Sequence, residues 1–384
     1  VGAGASFANG SMLTPSMADP WNSPGVGAHL IASLTDAKSA IRVRIAQLPS
    51  LTFWGLTFLR HSAWDKHVAA TCANYALARY SLEHTQHLDQ SLDLSALSRR
   101  RGSMKIFASE AAMARPLKLS QMQDGLAFQV LDADGAVAVE PALAAVKSRI
   151  ACALYYPDDA VGDARLFVER IAAAARQAKG EVRLNRPVNA IRPLAEGFAI
   201  DCGEEIFRAR RVVLAAGSRT PALAGRLGVR LPIKPAKGYS LTYALPPGLA
   251  SPRIPVVDDA MHAAVVPLEN RIRVAGTAEF AGDSRTLDPQ RVENLATLLS
   301  RLYPDLAPQL DRQSAFGWTG LRPMSADGRP FVGETDKPGL WINAGHGHLG
   351  WTMAAGSARL LADLMQGLVP AIDPTPYAPS RRRQ

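Results

Sequence analysis

The spacing of apolar positions along the chain predicts a mixture of helices and strands. Four segments have apolar residues at intervals of three and four, as an amphipathic helix does: 71–92, 166–179, 291–302 and 351–366. Gly180 and Gly367 follow two of them, and glycine commonly ends a helix. Six short runs predict strands: 181–184, 198–202, 205–207, 211–215, 272–277 and 340–343. This mixture indicates an α/β or α+β protein.

The two ends of the chain have no such periodicity. Residues 1–28 are rich in Gly, Pro, Ser and Asn, which predicts loops. Residues 370–384 combine prolines with basic residues, and we expect them to form a solvated tail. The chain starts at Val1 without a methionine, so we expect that processing or fragmentation has removed a segment.

The composition is that of an ordinary folded protein. Its 384 residues are 47% hydrophobic and 20% charged, which suits two domains and excludes disordered chains, coiled coils and collagens. Cys72, Cys152 and Cys202 are too widely spaced for a disulfide scaffold or a metal site, so we expect no metal and a reducing compartment. The longest apolar stretch, 46–59, is 14 residues long, whereas a membrane span needs roughly 20.

The chain is basic, with 43 Lys and Arg against 34 Asp and Glu and a net charge of +9. The cations are dispersed and no recognition motif accompanies them, so nucleic-acid binding is not expected. Segment 41–64 differs, because Arg42, Arg44 and Arg60 flank Phe53 and Trp54. It fits either peripheral contact with an anionic membrane or a buried helix with solvated ends.

Residues 345–350 match the pattern G-x-G-x-x-G between a predicted strand and a predicted helix. A dinucleotide fingerprint also needs a second strand that ends in an acidic residue about 20 residues further on. Asp373 lies among prolines instead, so we do not expect an ordinary Rossmann fingerprint. The segment suits an anion near a helix N-terminus, or it is a glycine-rich turn before a tightly packed helix.

Two other segments carry weaker signals. The predicted strand at 211–215 is followed by Ala216 and Gly217, as at nucleotide sites and equally at ordinary turns. Arg322 lies among aromatic, glycine and proline residues in segment 318–330. A guanidinium held in this way offers two parallel hydrogen bonds to a carboxylate, but a structural arginine that bonds loop carbonyls would have the same surroundings.

Taken together, these segments resemble the FAD-dependent D-amino-acid oxidase superfamily, and within it the small subunits of bacterial D-amino-acid dehydrogenases. The matching segments follow the family's order along nearly the whole chain: SFANGSMLTPSMADPWNSPGV (6–26), VEPAL (139–143), DARLFVERIA (163–172), VVLAAGS (212–218), KGYSLT (237–242), NRIRVAGTAEF (270–280), WTGLRPMSADGRPFVG (318–333) and NAGHGHLGWTMAAGSARLLADL (343–364).

The resemblance implies a discontinuous, Rossmann-like FAD-binding α/β domain (1–50, 140–230 and 315–384). This domain would be interleaved with a sheet-based α+β substrate domain (51–139 and 231–314). Family members begin with a β-strand, a glycine-rich turn and a helix, a βαβ unit of roughly 30 or more residues. That unit does not occur here, so the sequence resembles a member truncated at its N-terminus, without one half of its cofactor site.

The resemblance also implies which residues contact FAD. Asn9 and Gly10 match the loop along the flavin, Val188 matches the position at the adenine end, and Ala216 and Gly217 match a second strand end. The loop beside the flavin pyrimidine matches Gly345, His346, Gly347, Leu349, Gly350 and Thr352. A helix N-terminus there would stabilise negative charge on the reduced flavin rather than bind a pyrophosphate.

The implied reaction is oxidative deamination of D-amino acids to 2-oxo acids and ammonia, by hydride transfer from Cα to flavin N5. Arg322 matches the arginine that binds the substrate carboxylate. Tyr239 is either a substrate hydrogen-bonding residue or a packed strand tyrosine, and Lys237 lies in the same flavin-facing segment. No general base is expected if the amine binds in its neutral form, and we expect His346 and His348 to bond backbone.

The implied partners are a D-amino-acid substrate and a quinone or other respiratory electron acceptor. The expected location is the cytoplasm, either free or peripheral on the inner face of the cell membrane. Two alternatives stay open. One is a flavoenzyme that oxidises a secondary amine such as hydroxyproline, sarcosine or glycine, and the other is a non-catalytic fragment unable to hold FAD.

Overall fold

Helices and strands mix along the part of the chain that the structure, a computed structural model, describes: residues 1–32 and 41–383. The helices are α1 Val26–Ala32, α2 Leu48–Arg60, α3 Trp64–Ser91, α4 Glu110–Gln121, α5 Ala133–Val139, α6 Ala164–Gln177, α7 Thr220–Arg226, α8 Pro289–Leu302 and α9 Ala354–Gln366. The strands are β1 Met12–Leu13, β2 Ile41–Val43, β3 Leu97–Phe107, β4 Gln129–Leu131, β5 Cys152–Gly162, β6 Ala190–Pro193, β7 Phe198–Asp201, β8 Ile206–Ala209, β9 Val212–Leu214, β10 Ile233–Ala244, β11 Val256–Asp258, β12 Ala263–Leu268, β13 Arg271–Phe280, β14 Phe316–Ser325, β15 Phe331–Glu334 and β16 Leu340–Ala344.

One large mixed sheet carries most of the strands, in the order β1-β5-β3-β11-β12-β13-β10-β14, with β2 beside β13 and β4 beside β5. Two smaller sheets have the orders β15-β16-β9 and β6-β7-β8. On one face of the large sheet, Leu295 and Leu299 of α8 pack with Leu241 and Val274 in the main core. The predicted α/β class is confirmed.

The four predicted helices are confirmed as α3, α6, α8 and α9, but their ends differ, most of all for α3, which begins at Trp64, seven residues before the predicted start. Helix α6 ends at Gln177, and the left-handed residue after it is Lys179 (φ +66°) rather than Gly180. Helix α9 begins at Ala354, because Gly347 (φ +59°) begins a separate 3-10 turn before it. Gly367 (φ +71°) ends α9 as predicted, and no strand follows α9 up to residue 383.

Five of the six predicted strands are confirmed, as β7, β8, β9, β13 and β16. The prediction for residues 181–184 is wrong. A strand persists only where a neighbour accepts its backbone hydrogen bonds, and no strand of the described chain pairs with this segment. Leu184 is 49% exposed there.

The C-terminal tail is docked rather than solvated, so that prediction is also wrong. Tyr377 is buried, and its hydroxyl donates a hydrogen bond to the Ala73 carbonyl. Arg381 donates to both carboxylate oxygens of Asp327, over 2.7 and 3.3 Å, and its guanidinium lies 3.8 Å from the Phe331 ring centroid. The composition of the tail did not predict this docking, because the buried Asp327 carboxylate binds Arg381 whatever residues surround that arginine in the sequence. Residue 384 lies outside the described residues.

A buried carboxyl group, that of Asp159 on β5, ties the loop after β1 to the large sheet. Asp159 accepts hydrogen bonds from Ser16 Oγ and Ser103 Oγ, both over 2.6 Å. Burial raises the pKa of this carboxyl to about 7, because the loss of hydration outweighs the two hydroxyl bonds. The folded protein therefore binds this proton more tightly than the unfolded chain does.

We expect Asp159→Asn to change how stability depends on pH. The stabilisation from the Asp159 proton is complete below about pH 4 and is lost as the pH rises to about 7. Urea unfolding between these limits should therefore show the wild-type free energy of unfolding falling by a few kcal/mol relative to that of the variant. Asp158→Asn, at the exposed neighbouring position, is the control and should run parallel to the wild type. A constant difference between wild type and Asp159→Asn would mean that the folded carboxyl is ionised throughout.

Candidate active site

The strands β10 and β14 pair so that Arg322 and two glycines lie on the face of the large sheet opposite to α8. Arg322 pairs with Ala236, and Gly320 pairs with Gly238. Directly paired residues share one face of a sheet, so Arg322 lies over residues that have little or no side chain. A Cβ atom added to Gly238 would come within 2.2 Å of Arg322 Nη1. The guanidinium therefore occupies the space that the glycine leaves free.

The loop 7–11 crosses the same face and is fixed by side chains of the sheet. Ser240 Oγ donates to the carbonyl of Ala8 over 2.6 Å. Arg273 donates from Nη1 to the Asn9 carbonyl over 3.2 Å and to Ser11 Oγ over 2.7 Å. These bonds fix Asn9, a predicted site residue. They also give a role at this site to Arg273, a buried arginine within the apolar β13 that was not among the predicted residues.

Aromatic contacts and close backbone packing also hold the loop 7–11 on this sheet face. The Phe7 ring stacks on Trp318, with centroids 6.5 Å apart. Gly10, the other predicted residue of the loop, lies so close to β13 that an added Cβ would contact Ala275 at 3.9 Å. The predicted loop 9–10 and Arg322 therefore lie on one sheet face.

Arg322 is a half-buried cation without a counter-ion among the described residues. Its Nη1 donates to the Thr277 carbonyl over 3.0 Å, and its guanidinium lies 5.5 Å from the Trp21 ring centroid. No ion pair joins it to a carboxylate of the described residues. Desolvation lowers the pKa of Arg322 to about 10, so it remains charged at neutral pH. Even partial burial of an unpaired cation is costly, and a bound carboxylate would offset that cost.

Thr277 shows backbone strain next to this cation. It lies in β13 with φ +51°, a conformation that β-branched residues rarely adopt. Its carbonyl accepts from Arg322, and its buried Oγ1 has no hydrogen-bond partner within the described residues. Such strain concentrates at binding sites. Thr277 was not among the predicted site residues, because a threonine in an apolar strand carries no sequence signal of a left-handed backbone.

The predicted loop 345–352 follows β16, which runs parallel to β9. The carboxyl ends of both strands therefore meet at one edge of the small sheet, where ligands of α/β proteins commonly bind. Gly345 (φ +87°) and Gly347 (φ +59°) adopt left-handed conformations, which glycine allows. Leu349 is buried and Gly350 exposed. Thr352 Oγ1 accepts from the backbone N–H of Thr14, over 3.2 Å, close to the loop 7–11.

The two histidines of this loop are neutral and already hydrogen-bonded. His348 Nε2 lies 3.3 Å from the Met17 carbonyl, so its predicted bond to backbone is confirmed. His346 Nε2 lies 3.2 Å from Ser357 Oγ instead, which corrects the prediction for that residue. Burial lowers the pKa of both, that of His346 to about 4. The His348 ring stacks on Trp21, with centroids 5.5 Å apart, and so connects this loop to Arg322.

The third predicted region lies at the carboxyl end of β9. Ala216 is exposed there, and Gly217 (φ +57°) begins a 3-10 turn that packs against β10 and β14. Val188 lies further out and is 39% exposed. The next residue, Asn189, accepts a hydrogen bond from Arg226 of α7. The loop 9–10 and Arg322 thus share one sheet face, Trp21 connects Arg322 to the loop 345–352, and the turn at 216–217 packs against the two strands that carry this face.

Tyr239 and Lys237 lie on the other face of the sheet. They alternate with Gly238 and Arg322, and both bond Glu279 Oε2, from Tyr239 OH over 2.6 Å and from Lys237 Nζ over 2.9 Å. Burial, followed by the bond to Glu279, raises the pKa of Tyr239. This position favours the packed strand tyrosine of the two alternatives, and it corrects the expectation of a substrate contact.

Gly238→Ala is expected to displace the Arg322 guanidinium at little cost in stability, because the atoms in its way belong to the end of a flexible side chain. The KM for a carboxylate substrate should rise by about 10-fold or more, as expected for one weakened charged hydrogen bond. Gly317→Ala on the neighbouring strand β14 is the control, since its Cβ would meet ordinary contacts at 3.8 Å. Equal kinetics of both variants would contradict the packing of Arg322 on Gly238.

The described chain was also considered for a metal site and for a membrane-spanning helix. Among residues 1–32 and 41–383, no group of three or more His, Cys, Asp or Glu is placed to hold a metal ion. Within the same residues, no helix is long and apolar enough to cross a membrane.

Curated proteins and solved structures show what the chain is similar to. It is 39% identical over 378 residues to D-amino acid dehydrogenases from two strains of Cereibacter sphaeroides, and the match covers 96% of this chain and 84% of those proteins. The crystal structure of glycine oxidase from Geobacillus kaustophilus has a TM-score of 0.74 at 24% identity, and the match covers 99% of this chain and 90% of that one.

A second solved structure, L-proline dehydrogenase from P. horikoshii, has a TM-score of 0.72 at 16% identity over 81% of this chain and 84% of that one. These structural similarities establish the fold. The family model described as FAD dependent oxidoreductase (DAO) matches residues 1–364. The chain therefore belongs to the DAO family of FAD-dependent oxidoreductases.

Proposed function

We propose that this protein oxidises D-amino acids to 2-oxo acids and ammonia and passes the electrons to a respiratory acceptor. The observation that carries this proposal is the half-buried Arg322 without a counter-ion, on the sheet face that also holds the loop matching the family's flavin loop. The relatives called D-amino acid dehydrogenases support the choice of substrate class.

The residues around this sheet face fit a flavin. Gly345 and Gly347 would bring backbone close to it without side chains, and Gly238 and Gly320 leave room on the sheet face for the side chains of Arg322 and Trp318. Asn9, Gly10, Ala216, Leu349, Gly350 and Thr352 would line the cofactor, His346 would stay neutral, and Gly217 and Val188 would lie toward the adenine. Bound FAD would supply the acceptor for the hydride that leaves Cα.

The protein's own part in the reaction is to position the substrate. Arg322 would bind the carboxylate through the nitrogen atoms that do not bond Thr277, as two parallel charge-assisted hydrogen bonds. The free Thr277 hydroxyl lies beside it and would accept a hydrogen bond from the substrate amine. The neutral, bonded histidines support a mechanism in which the amine binds unprotonated and no side chain removes a proton.

Thr277 can be tested separately from Arg322. Thr277→Gly should raise the free energy of unfolding by about 1 kcal/mol, because a left-handed backbone costs glycine little. Thr277→Val should keep the strain and remove the hydroxyl. Both variants should lower kcat/KM for D-amino acids by about 10-fold, as the loss of one hydrogen bond predicts. Unchanged kinetics in both would exclude Thr277 from the substrate site.

The deciding experiment for the proposed function is an absorption spectrum of the 384-residue chain purified with added FAD. Protein-bound flavin that bleaches anaerobically with a D-amino acid, and not with its L-enantiomer, is the expected result. A panel with hydroxyproline, sarcosine and glycine would reveal a secondary-amine enzyme instead. Absence of bound flavin would favour the non-catalytic alternative for this chain.

The acceptor is expected to be a quinone or another component of a respiratory chain, reached at the inner face of the cell membrane. With no helix of the described residues able to span a bilayer, this contact would be peripheral. An acceptor at the membrane predicts that quinone-containing membranes accelerate turnover with a D-amino acid, and that a soluble dye can take their place as electron acceptor. If the protein turns over with the dye and added membranes do not change the rate, the proposal would be limited to amino acid oxidation alone.

A further inference from the structure

Helix α2 has two apolar faces, and only one of them is buried. Trp54 and Phe58 stack on each other beneath the helix, and Trp54 Nε1 donates to the Met324 carbonyl over 3.0 Å. Phe53 on the other side is 86% exposed. The remaining exposed apolar residues of this region are Leu56 at 63%, Leu59 at 43%, Leu48 at 42% and, in the turn before the helix, Ile45 at 70%.

We call these five residues (Ile45, Leu48, Phe53, Leu56 and Leu59) the α2 outer face. No other element of the described chain covers Phe53 or Leu56. A contiguous exposed apolar surface of this kind marks an interaction site on a soluble protein. The α2 outer face is a protruding helix surface rather than a groove. It therefore suits insertion into a lipid bilayer better than binding of a peptide.

The charges around the α2 outer face have one predominant sign. Residues 41–64 contain no aspartate or glutamate, and the exposed Asp65 beside Trp64 is the first carboxylate after them. Arg60 at the end of α2 is exposed, and Lys66 donates to its carbonyl. Lys118 lies 4.8 Å from the ring of Trp64, the first residue of α3. Within the described chain, no ion pair joins Arg60, Lys66 or Lys118 to a carboxylate. Cations and an aromatic ring at one end of an apolar helix face favour an anionic lipid surface.

We propose that the α2 outer face is the surface by which this protein docks on an anionic lipid bilayer. The proposal deepens the peripheral contact proposed above and rests on it. Helix α2, with 13 residues, is too short to span a bilayer. It would lie in the plane of the interface, with Phe53 and Leu56 inserted among the acyl chains and Arg60, Lys66 and Lys118 beside the lipid phosphates.

Docking through α2 would place the active site next to the bilayer. Trp54, on the buried side of the helix, bonds Met324, which pairs with His346 in the loop 345–352. Only the width of one helix, about 10 Å, therefore separates the lipid from this loop. A lipid-soluble acceptor would then reach the cofactor from the bilayer side without leaving the membrane.

Sedimentation with vesicles tests the proposal on the purified chain. The wild type should bind vesicles of phosphatidylglycerol and phosphatidylcholine. The double variant Phe53→Ser with Leu56→Ser should bind at least about 10-fold more weakly, since two large apolar side chains no longer leave water. Both residues are exposed, so the fold should not depend on them. The matched control replaces Ile206 (58% exposed) and Val369 (94% exposed) by serine and should bind like the wild type.

Charge is tested separately. Arg60→Gln with Lys66→Gln should weaken binding to anionic vesicles by about 30-fold, at about 5-fold per cation, and should not change binding to pure phosphatidylcholine. Equal binding of wild type and the Phe53/Leu56 variant, or an equal loss in the control, would overturn the proposal. So would a dimer of the chain that the Phe53/Leu56 variant dissociates, because a second copy would then be the partner. A wild type that is bleached by D-amino acids but does not sediment with vesicles overturns only this inference.

Discussion

Replacement of Arg322 by methionine is expected to lower kcat/KM for D-amino acids by about 1,000-fold. The substitution removes two charge-assisted hydrogen bonds to the substrate carboxylate, each of which contributes about 1.5–3 kcal/mol. Arg322→Lys should still lose about 100-fold, because an ammonium keeps the charge but not the planar pair of donors. Partial burial strengthens the effect, since no described carboxylate replaces the lost partner.

The measurement is steady-state turnover with a soluble dye as electron acceptor, together with the flavin spectrum of each variant. Bound flavin should keep its spectrum, because Arg322 bonds the Thr277 carbonyl and in the proposed mechanism binds the substrate rather than the cofactor. The wild type should also prefer an amino acid to the corresponding amine without a carboxylate, and Arg322→Met should lose that preference. Retention of the preference in Arg322→Met would show that another group binds the carboxylate. Arg176→Met, at an exposed arginine near the end of α6, is the control and should be unchanged.

Replacement of Arg381 by alanine is expected to lower the free energy of unfolding by about 3–5 kcal/mol, because it leaves the buried Asp327 carboxylate without its main partner. Arg381 bonds both oxygens of Asp327 and also the carbonyls of Tyr377 and Arg329, each over 2.7 Å. Burial raises the pKa of Asp327, but the nearby guanidinium groups outweigh this and lower it. The carboxyl is therefore ionised in the folded protein and needs a cation.

Urea unfolding of Arg381→Ala beside Arg312→Ala measures this effect. The ion pair of Arg312 with Glu293 is exposed, with side chains 45% and 61% accessible, and should be worth less than about 1 kcal/mol. Similar losses in the two variants would mean that the tail does not dock. Asp327 follows β14 by two residues, so Arg381→Ala is also expected to raise the KM for amino acids modestly, through the strand that carries Arg322.

The backbone conformations that the sequence predicted at the candidate site belong to local motifs. Glycine-rich turns after apolar strands marked Gly345, Gly347 and Gly217, and the structure gives all three a left-handed backbone. The setting of Arg322 between glycine and proline residues indicated a fixed guanidinium, and its surroundings support that role. Such signals survive in a sequence because backbone conformation and strand burial depend on neighbouring residues.

The residues that the sequence misjudged depend on contacts between distant segments. Tyr239 is one position away from Gly238, and only the pairing of β10 with β13 and β14 shows that it faces Glu279 instead of Arg322. The strain at Thr277 likewise has no local signal. A shift of one residue along a strand reverses the face of a side chain, and sequence periodicity does not fix it when both faces are buried.

The sequence by itself determined the fold class, the family, and four of the nine α-helices and five of the sixteen strands of the described chain, because apolar periodicity and glycine positions are local properties of the chain. Only the tertiary structure decided which of these residues share a sheet face. It also decided that the tail closes over Asp327 and that α2 turns Phe53 to the outside and Trp54 to the core. These are properties of segments up to hundreds of residues apart, and the burial that sets their energies exists only once the chain has folded.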